Sequence, residues 1–190
     1  MKPSLRMLAR LLVFVVPLWA AGPSDVPLVK TKLTDEVTME LPADFLPVAE
    51  QDRYNRSASH RPPERMFTDP TGRVDFSYNT TQNFQWREQD LAILQSFYRS
   101  TILTLYTEVE FLREERPRID GRPYIVFEFV STLTEGSGEL GGRRPISKYN
   151  YVQYTLHEDW ILVFSFSAPA DRRAYWQPLA GRFMNTVRVR

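Results

Sequence analysis

The sequence contains no cysteine among its 190 residues. Disulfide bonds, thiolate nucleophiles and cysteine-ligated zinc or iron–sulfur sites are therefore excluded, as is a lipid-modified N-terminal cysteine. Histidine is nearly as scarce, since only His60 and His157 are present for a metal site or a Ser-His-Asp triad. His157 lies in a short polar break between two apolar runs, where polar residues are the rule, so a ligand role is the less favoured interpretation. We predict no catalytic residues, no metal site and no cofactor.

A strong excess of basic charge is also missing. The chain has 24 Lys and Arg against 23 Asp and Glu, for a formal charge of +1. Residues 1–22 hold three of the basic residues and no acidic one, so without them 21 basic residues stand against 23 acidic ones. Nucleic-acid-binding domains show a clear basic excess, and we therefore predict no nucleic-acid partner.

No apolar run is long enough to cross a membrane, which takes about 20 residues. The apolar segment from Leu11 to Ala21 follows Lys2, Arg6 and Arg10, and small residues end it. This arrangement is typical of a secretory signal peptide. We predict a signal peptide over residues 1–22, a lead-in segment over residues 23–36 and a single domain over residues 37–190. The mature protein would then be extracytoplasmic, periplasmic or secreted, or attached to a membrane if the first segment is not cleaved.

The richest structural signal is the stretch 149–168, in which two apolar, aromatic and β-branched runs flank His157-Glu158-Asp159. This pattern predicts a β-hairpin. In the second arm, the residues that share one face of the strand are all apolar, and we expect them to face a core: Trp160, Leu162, Phe164 and Phe166. The opposite face, with Ile161, Val163, Ser165 and Ser167, is mixed and suits either water or a covering loop or helix.

The remaining elements complete an α+β pattern. Asp69-Pro70-Thr71-Gly72 predicts a type I turn between two strands. Leu91, Leu94, Tyr98, Ile102 and Leu105 recur at helical spacing within residues 86–106, and we expect Ile93 and Phe97 to widen this apolar stripe. Residues 51–63 suggest a loop or a weak edge strand. A last helix is expected to restart at Pro178, because proline breaks a continuous helix, and a short strand follows at residues 186–189.

The polar loop from residue 135 to residue 148 joins two strongly hydrophobic strands. Its Gly136-Ser137-Gly138-Glu139-Leu140-Gly141 run matches G-x-G-x-x-G in form. A dinucleotide site requires a helix directly after such a run, and a strand follows here, so we expect a hairpin loop and no cofactor. Arg143 and Arg144 stand beside the glycines, and we predict that they bind the partner, because guanidinium groups suit carboxylates.

Several segments between residues 37 and 189 together show a known layout: Leu41-Pro42-Ala43-Asp44-Phe45; the helix with Leu91, Leu94 and Tyr98; Ile119-Asp120-Gly121-Arg122 with Tyr124; Phe164 to Pro169; and Trp176, Phe183, Thr186 and Val187. This layout resembles the PsbP-like superfamily with its DcrB-like members. The resemblance implies an α+β fold, an α/β/α sandwich around a mainly antiparallel sheet. It also implies a binding or assembly role without catalysis.

Two functional hypotheses follow. The first is an exported, non-enzymatic protein-binding or assembly module of the cell envelope, whose partner is another envelope or secreted protein. The second is a small-molecule or lipid carrier, or a small hydrolase, with a cavity between helix and sheet. A carrier is expected to have one long closing helix, against which Pro178 and the strand after the last helix argue. A closed cavity beneath the helix at residues 86–106 would favour the second hypothesis.

Overall fold

The computed structural model describes residue 22 and residues 25–56, 62–83, 85–134 and 145–190. The helices are α1 (Glu50–Arg56), α2 (Leu91–Leu105) and α3 (Arg173–Met184), and single 3-10 turns at Glu88–Asp90 and Ala170–Arg172 precede α2 and α3. The strands, in chain order, are β1 (Leu28–Lys32), β2 (Val37–Pro42), β3 (Leu46–Pro47), β4 (Arg65–Thr68), β5 (Asp75–Gln82), β6 (Glu108–Glu115), β7 (Arg118–Ile119), β8 (Arg122–Pro123), β9 (Ile125–Leu133), β10 (Ile146–His157), β11 (Trp160–Pro169) and β12 (Arg188–Val189).

One seven-stranded antiparallel sheet, the main sheet, organises the molecule in the order β3-β4-β5-β11-β10-β9-β6. The hairpin of β10 and β11 lies at its centre, so the predicted hairpin is confirmed. His157 pairs with Trp160, which leaves Glu158 and Asp159 as a two-residue turn. Glu158 adopts a φ of 51°, a conformation that a turn this tight imposes on a non-glycine residue.

The two faces of the main sheet bury two separate cores. On one face, the small sheet β1-β2-β12 and α3 cover a large aromatic core that includes Phe76, Phe164, Phe166 and Phe183. On the other face, α2 covers a second core that includes Ile161. The main sheet is therefore sandwiched between layers that contain helices, and the predicted α+β fold with a mainly antiparallel sheet is confirmed. In β11, Leu162, Phe164 and Phe166 face the core as predicted, while Trp160 at the turn is 40% exposed.

Helix α2 meets the sheet through the expected stripe, since Leu91, Leu94 and Ile102 are buried, but Leu105 at the end of the helix is 59% exposed and does not belong to it. The expected widening of this stripe is wrong. Ile93 is 62% exposed and Phe97 is 55% exposed. At about 100° per residue, both residues point away from the row formed by positions 91, 94, 98 and 102. In the described part of the chain no further layer covers that outer side of α2.

The predicted turn at residues 69–72 is present, and a second tight turn joins β7 to β8. In the turn between β4 and β5, the Asp69 carboxylate accepts hydrogen bonds from the backbone N–H groups of Arg73 and Val74, both at 3.0 Å. Gly72 has a φ of +67°, and a Cβ at this position would lie 3.2 Å from Arg56, so glycine suits both the backbone and the neighbouring helix. Asp120 and Gly121, with φ values of 51° and 78°, form the turn between β7 and β8.

Three local predictions are corrected. Residues 51–56 belong to helix α1, whose acidic first turn and basic last turn complement the helix dipole. The lead-in segment contains β1, which pairs with β2. Helix α3 begins at Arg173 and continues through Pro178. Pro178 lies on the exposed side of the helix, while Trp176 and Leu179 anchor the helix in the core. The proline therefore costs one helical hydrogen bond without disturbing the packed side.

Candidate functional site: an open polar cleft on the main sheet

The sheet face beneath α2 changes from apolar to polar along adjacent strands. On β11 the side chains of this face run from the buried Ile161 through Val163 to Ser165 and Ser167. The same change occurs on β10 from Tyr154 and Val152 to Asn150 and Lys148, and on β9 from Phe127 and Phe129 to Ser131. Helix α2 covers the apolar end only. The polar end is left as the floor of an open depression, which we call the cleft.

The cleft has a volume of about 280 Å³. Its floor comes from β5, β9, β10 and β11, and one wall comes from α1. The lining residues are Arg56, Pro63, Met66, Asp75, Ser77, Asn79, Tyr106, Ser131, Leu133, Ile146, Lys148, Asn150, Val152, Ser165, Phe166 and Ser167. Tyr106 closes the side next to α2, where burial raises the pKa of its hydroxyl. Leu133 and Ile146 form an apolar lip and are 41% and 56% exposed.

Part of the floor is held rigid by its own hydrogen bonds. The Asn150 side chain is 6% exposed and Ser131 is 3% exposed. The Asn150 Nδ2 donates to the Ser131 hydroxyl at 2.9 Å and to the Lys148 carbonyl at 3.1 Å. The bond to Ser131 joins β10 to β9 across the floor, and the bond to Lys148 lies within β10. Both bonds are already present while the cleft is open.

The wall is fixed by Arg56. Its Nη1 lies 3.0 Å from the Asp75 carboxylate and donates to the Thr68 hydroxyl at 3.1 Å and the Gly72 carbonyl at 3.2 Å. The ion pair compensates the carboxylate, whose side chain is only 16% exposed. Arg56 thereby docks α1 against the turn between β4 and β5 and neutralises the acidic residue of the lining.

Four polar side chains of the cleft have no side-chain partner within the described residues. The hydroxyls of Ser77, Ser165 and Ser167 make no side-chain hydrogen bond there, and Lys148 makes no ion pair there. Ser165 lies directly opposite Ser77 in the register of β11 and β5, and Ser167 lies opposite Asn150 in the register of β11 and β10. The arrangement offers several hydrogen-bond donors and one positive charge to a ligand.

Arg143 and Arg144, the predicted partner-binding residues, lie outside the described residues, and so do His60 and the Gly136–Gly141 run. The described chain resumes at Pro145, and Ile146 lines the cleft. His157 lies elsewhere, with its Nε2 3.3 Å from Glu36. The described residues contain no cluster of three or more potential metal ligands. Sequence reasoning missed the cleft, although Ser165 and Ser167 on the mixed face of β11 were a usable signal.

Neither protein-family models nor curated proteins match the sequence, but solved structures do. CyanoP, the cyanobacterial PsbP of Synechocystis, is 16% identical, with a TM-score of 0.61 over 92% of this chain and 100% of that chain. The Ran-binding protein Mog1p of Saccharomyces cerevisiae is 12% identical, with a TM-score of 0.55 over 86% of this chain and 96% of that one. LpqN of Mycobacterium tuberculosis, involved in cell envelope biogenesis, is 9% identical, with a TM-score of 0.55 over 87% of this chain and 91% of that one. These likenesses concern the fold, and they confirm the PsbP-like layout.

Proposed function

We propose that this chain, built on the PsbP-like fold, is an exported, non-enzymatic protein-binding or assembly module of the cell envelope. In this proposal a segment of the partner occupies the cleft. The observation that carries the proposal is the set of accessible polar groups on the cleft floor that have no partner within the described residues, namely Ser77, Ser165, Ser167 and Lys148. Open hydrogen-bonding groups on a preformed surface suit recognition of another molecule.

The solved structures with this fold support a binding role. Mog1p is a Ran-binding protein, and LpqN is involved in cell envelope biogenesis. A fold shared at this level of identity does not fix a partner. We therefore take from these proteins only the general role, binding or assembly, and the envelope as the setting.

A carrier with a cavity between helix and sheet has less support, because the space beneath α2 is filled. The rings of Tyr98 and Tyr154 stack with centroids 3.8 Å apart and an interplanar angle of 16°. Leu94 and Ile102 pack in the same cluster as Phe127 and are at most 4% exposed. The cleft lies beyond the end of α2 and is open, which suits a segment of another protein better than an enclosed lipid.

Catalysis also has less support from the geometry. The serines of the cleft need a neighbouring base to act as nucleophiles, and His157, the histidine within the described residues, pairs with Glu36 away from the cleft. The described lining provides hydrogen-bond donors, acceptors and charge. A binding role uses all of these groups without an additional residue.

Export is the second part of the proposal. In this proposal residues 1–22 act as the signal peptide, residues 23–36 lead into the domain of residues 37–190 and add β1 to its small sheet, and the partner is an envelope or secreted protein. No helix among the described residues is long and apolar enough to span a membrane. N-terminal sequencing of the protein isolated from fractionated cells should find a start near residue 21 to 23 in an extracytoplasmic fraction. A cytosolic protein that begins at Met1 would contradict export.

Arg143 and Arg144 are the proposed partner-facing charges. They precede Ile146 of the lip in the sequence. Affinity capture from the native envelope with the double variant Arg143→Ala/Arg144→Ala should recover much less partner than the wild type, and more so at low salt, at an unchanged melting temperature. Arg116→Ala removes an exposed arginine after β6 and serves as the control. Equal capture by the double variant would remove these arginines from the binding site.

A further inference from the structure

We infer that the cleft recognises a carboxylate from an acidic side chain of the partner segment, with Lys148 as the cation and Ser165 and Ser167 as hydrogen-bond donors. This inference rests on the proposed function and adds to it the chemistry of the partner. It uses only groups in the described part of the chain.

Charge favours an anion. The lining contains two cations, Arg56 and Lys148, and one carboxylate, Asp75. Arg56 and Asp75 form an ion pair at 3.0 Å, so their charges compensate each other. No described residue forms an ion pair with Lys148, whose side chain is half-buried. Ion pairs in partly desolvated sites are screened less by salt than exposed ones. A carboxylate that binds beside Lys148 therefore gains more electrostatic attraction than it would beside a fully exposed lysine.

Ser167 lies where a carboxylate beside Lys148 can reach it, and Ser165 lies two residues farther along the same face. Ser167 pairs with Asn150 in the register of β11 and β10, and Lys148 is two residues further along β10 on the same face. Diagonal neighbours in an antiparallel sheet are about 7–8 Å apart at the backbone, a gap that a lysine side chain and a bound carboxylate together fill. Ser165 is the next residue of that face on β11. Hydrogen bonds to an ionised acceptor are stronger than neutral ones.

Rigidity lowers the cost of binding. Asn150 is held by the Ser131 hydroxyl and the Lys148 carbonyl, at 2.9 Å and 3.1 Å. The strands beneath the cleft are central strands of the main sheet, paired on both sides. A site that is already ordered loses little conformational entropy when a ligand arrives. The exposed Leu133 and Ile146 at the lip add apolar contact for residues that flank the acidic one.

The test is an NMR titration of the mature protein with three capped hexapeptides, of glutamate, glutamine and lysine, followed through backbone amide shifts. We expect the glutamate peptide to shift the amides of Lys148, Asn150, Ser165 and Ser167, and the two other peptides to leave them in place. Raising the salt from 50 to 300 mM should weaken the binding.

Variants then assign the contacts. Lys148→Gln should raise the dissociation constant of the glutamate peptide about tenfold or more, as expected for a charge-assisted hydrogen bond. Ser165→Ala/Ser167→Ala should raise it severalfold. Lys30→Gln, which removes an exposed lysine of β1 on the small sheet, should leave it unchanged. The amide spectrum of each variant shows whether the fold is intact, and Lys148→Arg, which keeps the charge, should retain most of the affinity.

Three results would overturn the inference: no shifts in the cleft with the glutamate peptide, equal shifts with the glutamine peptide, or unchanged affinity in Lys148→Gln. Failure of this inference is distinct from failure of the proposed function. If Lys148→Gln captures the native partner as well as the wild type does, the binding role stands and the carboxylate chemistry is wrong. If the wild type captures no envelope protein above the level of an empty resin, the binding role itself is wrong.

Discussion

Removal of Arg113 should destabilise the fold substantially, because it would leave a buried carboxylate without its cation. Glu128 is 5% exposed on the central strand β9. Its Oε1 lies 2.8 Å from the Arg113 Nη2, and its Oε2 accepts hydrogen bonds from the Tyr149 hydroxyl at 2.9 Å and from the Gln177 Nε2 at 3.0 Å. Arg113 also donates to the Tyr151 hydroxyl at 2.7 Å. One guanidinium therefore holds together groups from three strands.

The expected loss of stability follows from the burial of the Glu128 carboxylate. Breaking a buried ion pair by removing one partner costs about 3–5 kcal/mol. Arg113 is 32% exposed, so water screens part of the interaction, and we place Arg113→Leu near the lower end, at about 3 kcal/mol. Adding Glu128→Gln to Arg113→Leu removes the uncompensated charge while keeping the shape, and should restore about 1–2 kcal/mol.

Urea unfolding followed by circular dichroism measures these free energies, and an ion pair between α2 and β6 of the same sheet serves as the matched control. Arg99 lies 2.8 Å from Glu114, an equally short contact, but the two side chains are 46% and 28% exposed. Arg99→Leu should therefore cost less than about 1 kcal/mol. The reasoning is refuted if Arg113→Leu costs no more than Arg99→Leu, or if Glu128→Gln makes the Arg113→Leu variant still less stable.

Two further predictions test the cores. Phe164 is fully buried, with its ring centroid 5.3 Å from that of Tyr78 and 6.4 Å from that of Tyr124. Phe164→Ala should therefore lower the free energy of unfolding by about 3–5 kcal/mol. A loss below about 1 kcal/mol would show that this face of β11 is not core. Burial raises the pKa of Tyr78 and of Tyr98 to about 12, above the ordinary value of 10.0. The folded state thus favours the neutral phenols. Their contribution to the free energy of unfolding is complete below pH 10 and is lost as the pH rises from about 10 to about 12. A melting temperature that stays constant over that interval would contradict this prediction.

The sequence was sufficient where one local pattern decides the structure. The alternation in residues 149–168 and the polar break at His157-Glu158-Asp159 predicted the central hairpin, because strand period and turn chemistry agree there. The stripe of Leu91, Leu94 and Ile102 predicted the buried side of α2. Ile93 and Phe97 were misassigned because they were judged by composition, whereas their angle around the helix places them outside.

The sequence was insufficient where distant segments meet. The cleft requires Ser77 of β5 to lie opposite Ser165 of β11, and no local pattern specifies that pairing. Pro178 shows that tertiary packing can override a local rule. Packing of Trp176 and Leu179 in the core outweighs the single helical hydrogen bond that proline removes. The compensation of Asp75 by Arg56, which leaves Lys148 unpaired among the described residues, likewise depends on the fold alone.

The pairing of the first strands with the last elements has a consequence for synthesis. The small sheet holds β2 between β1 and β12, and a hydrogen bond from the Glu40 backbone N–H to the Thr186 hydroxyl spans 146 positions of sequence. In the main sheet, β5 is joined to the strands on its far side only through β11. The strands of the N-terminal third therefore cannot complete either sheet until β11 and β12 have been made, and contacts so remote in sequence slow folding. On the ribosome, these first strands emerge long before the strands that complete their sheets.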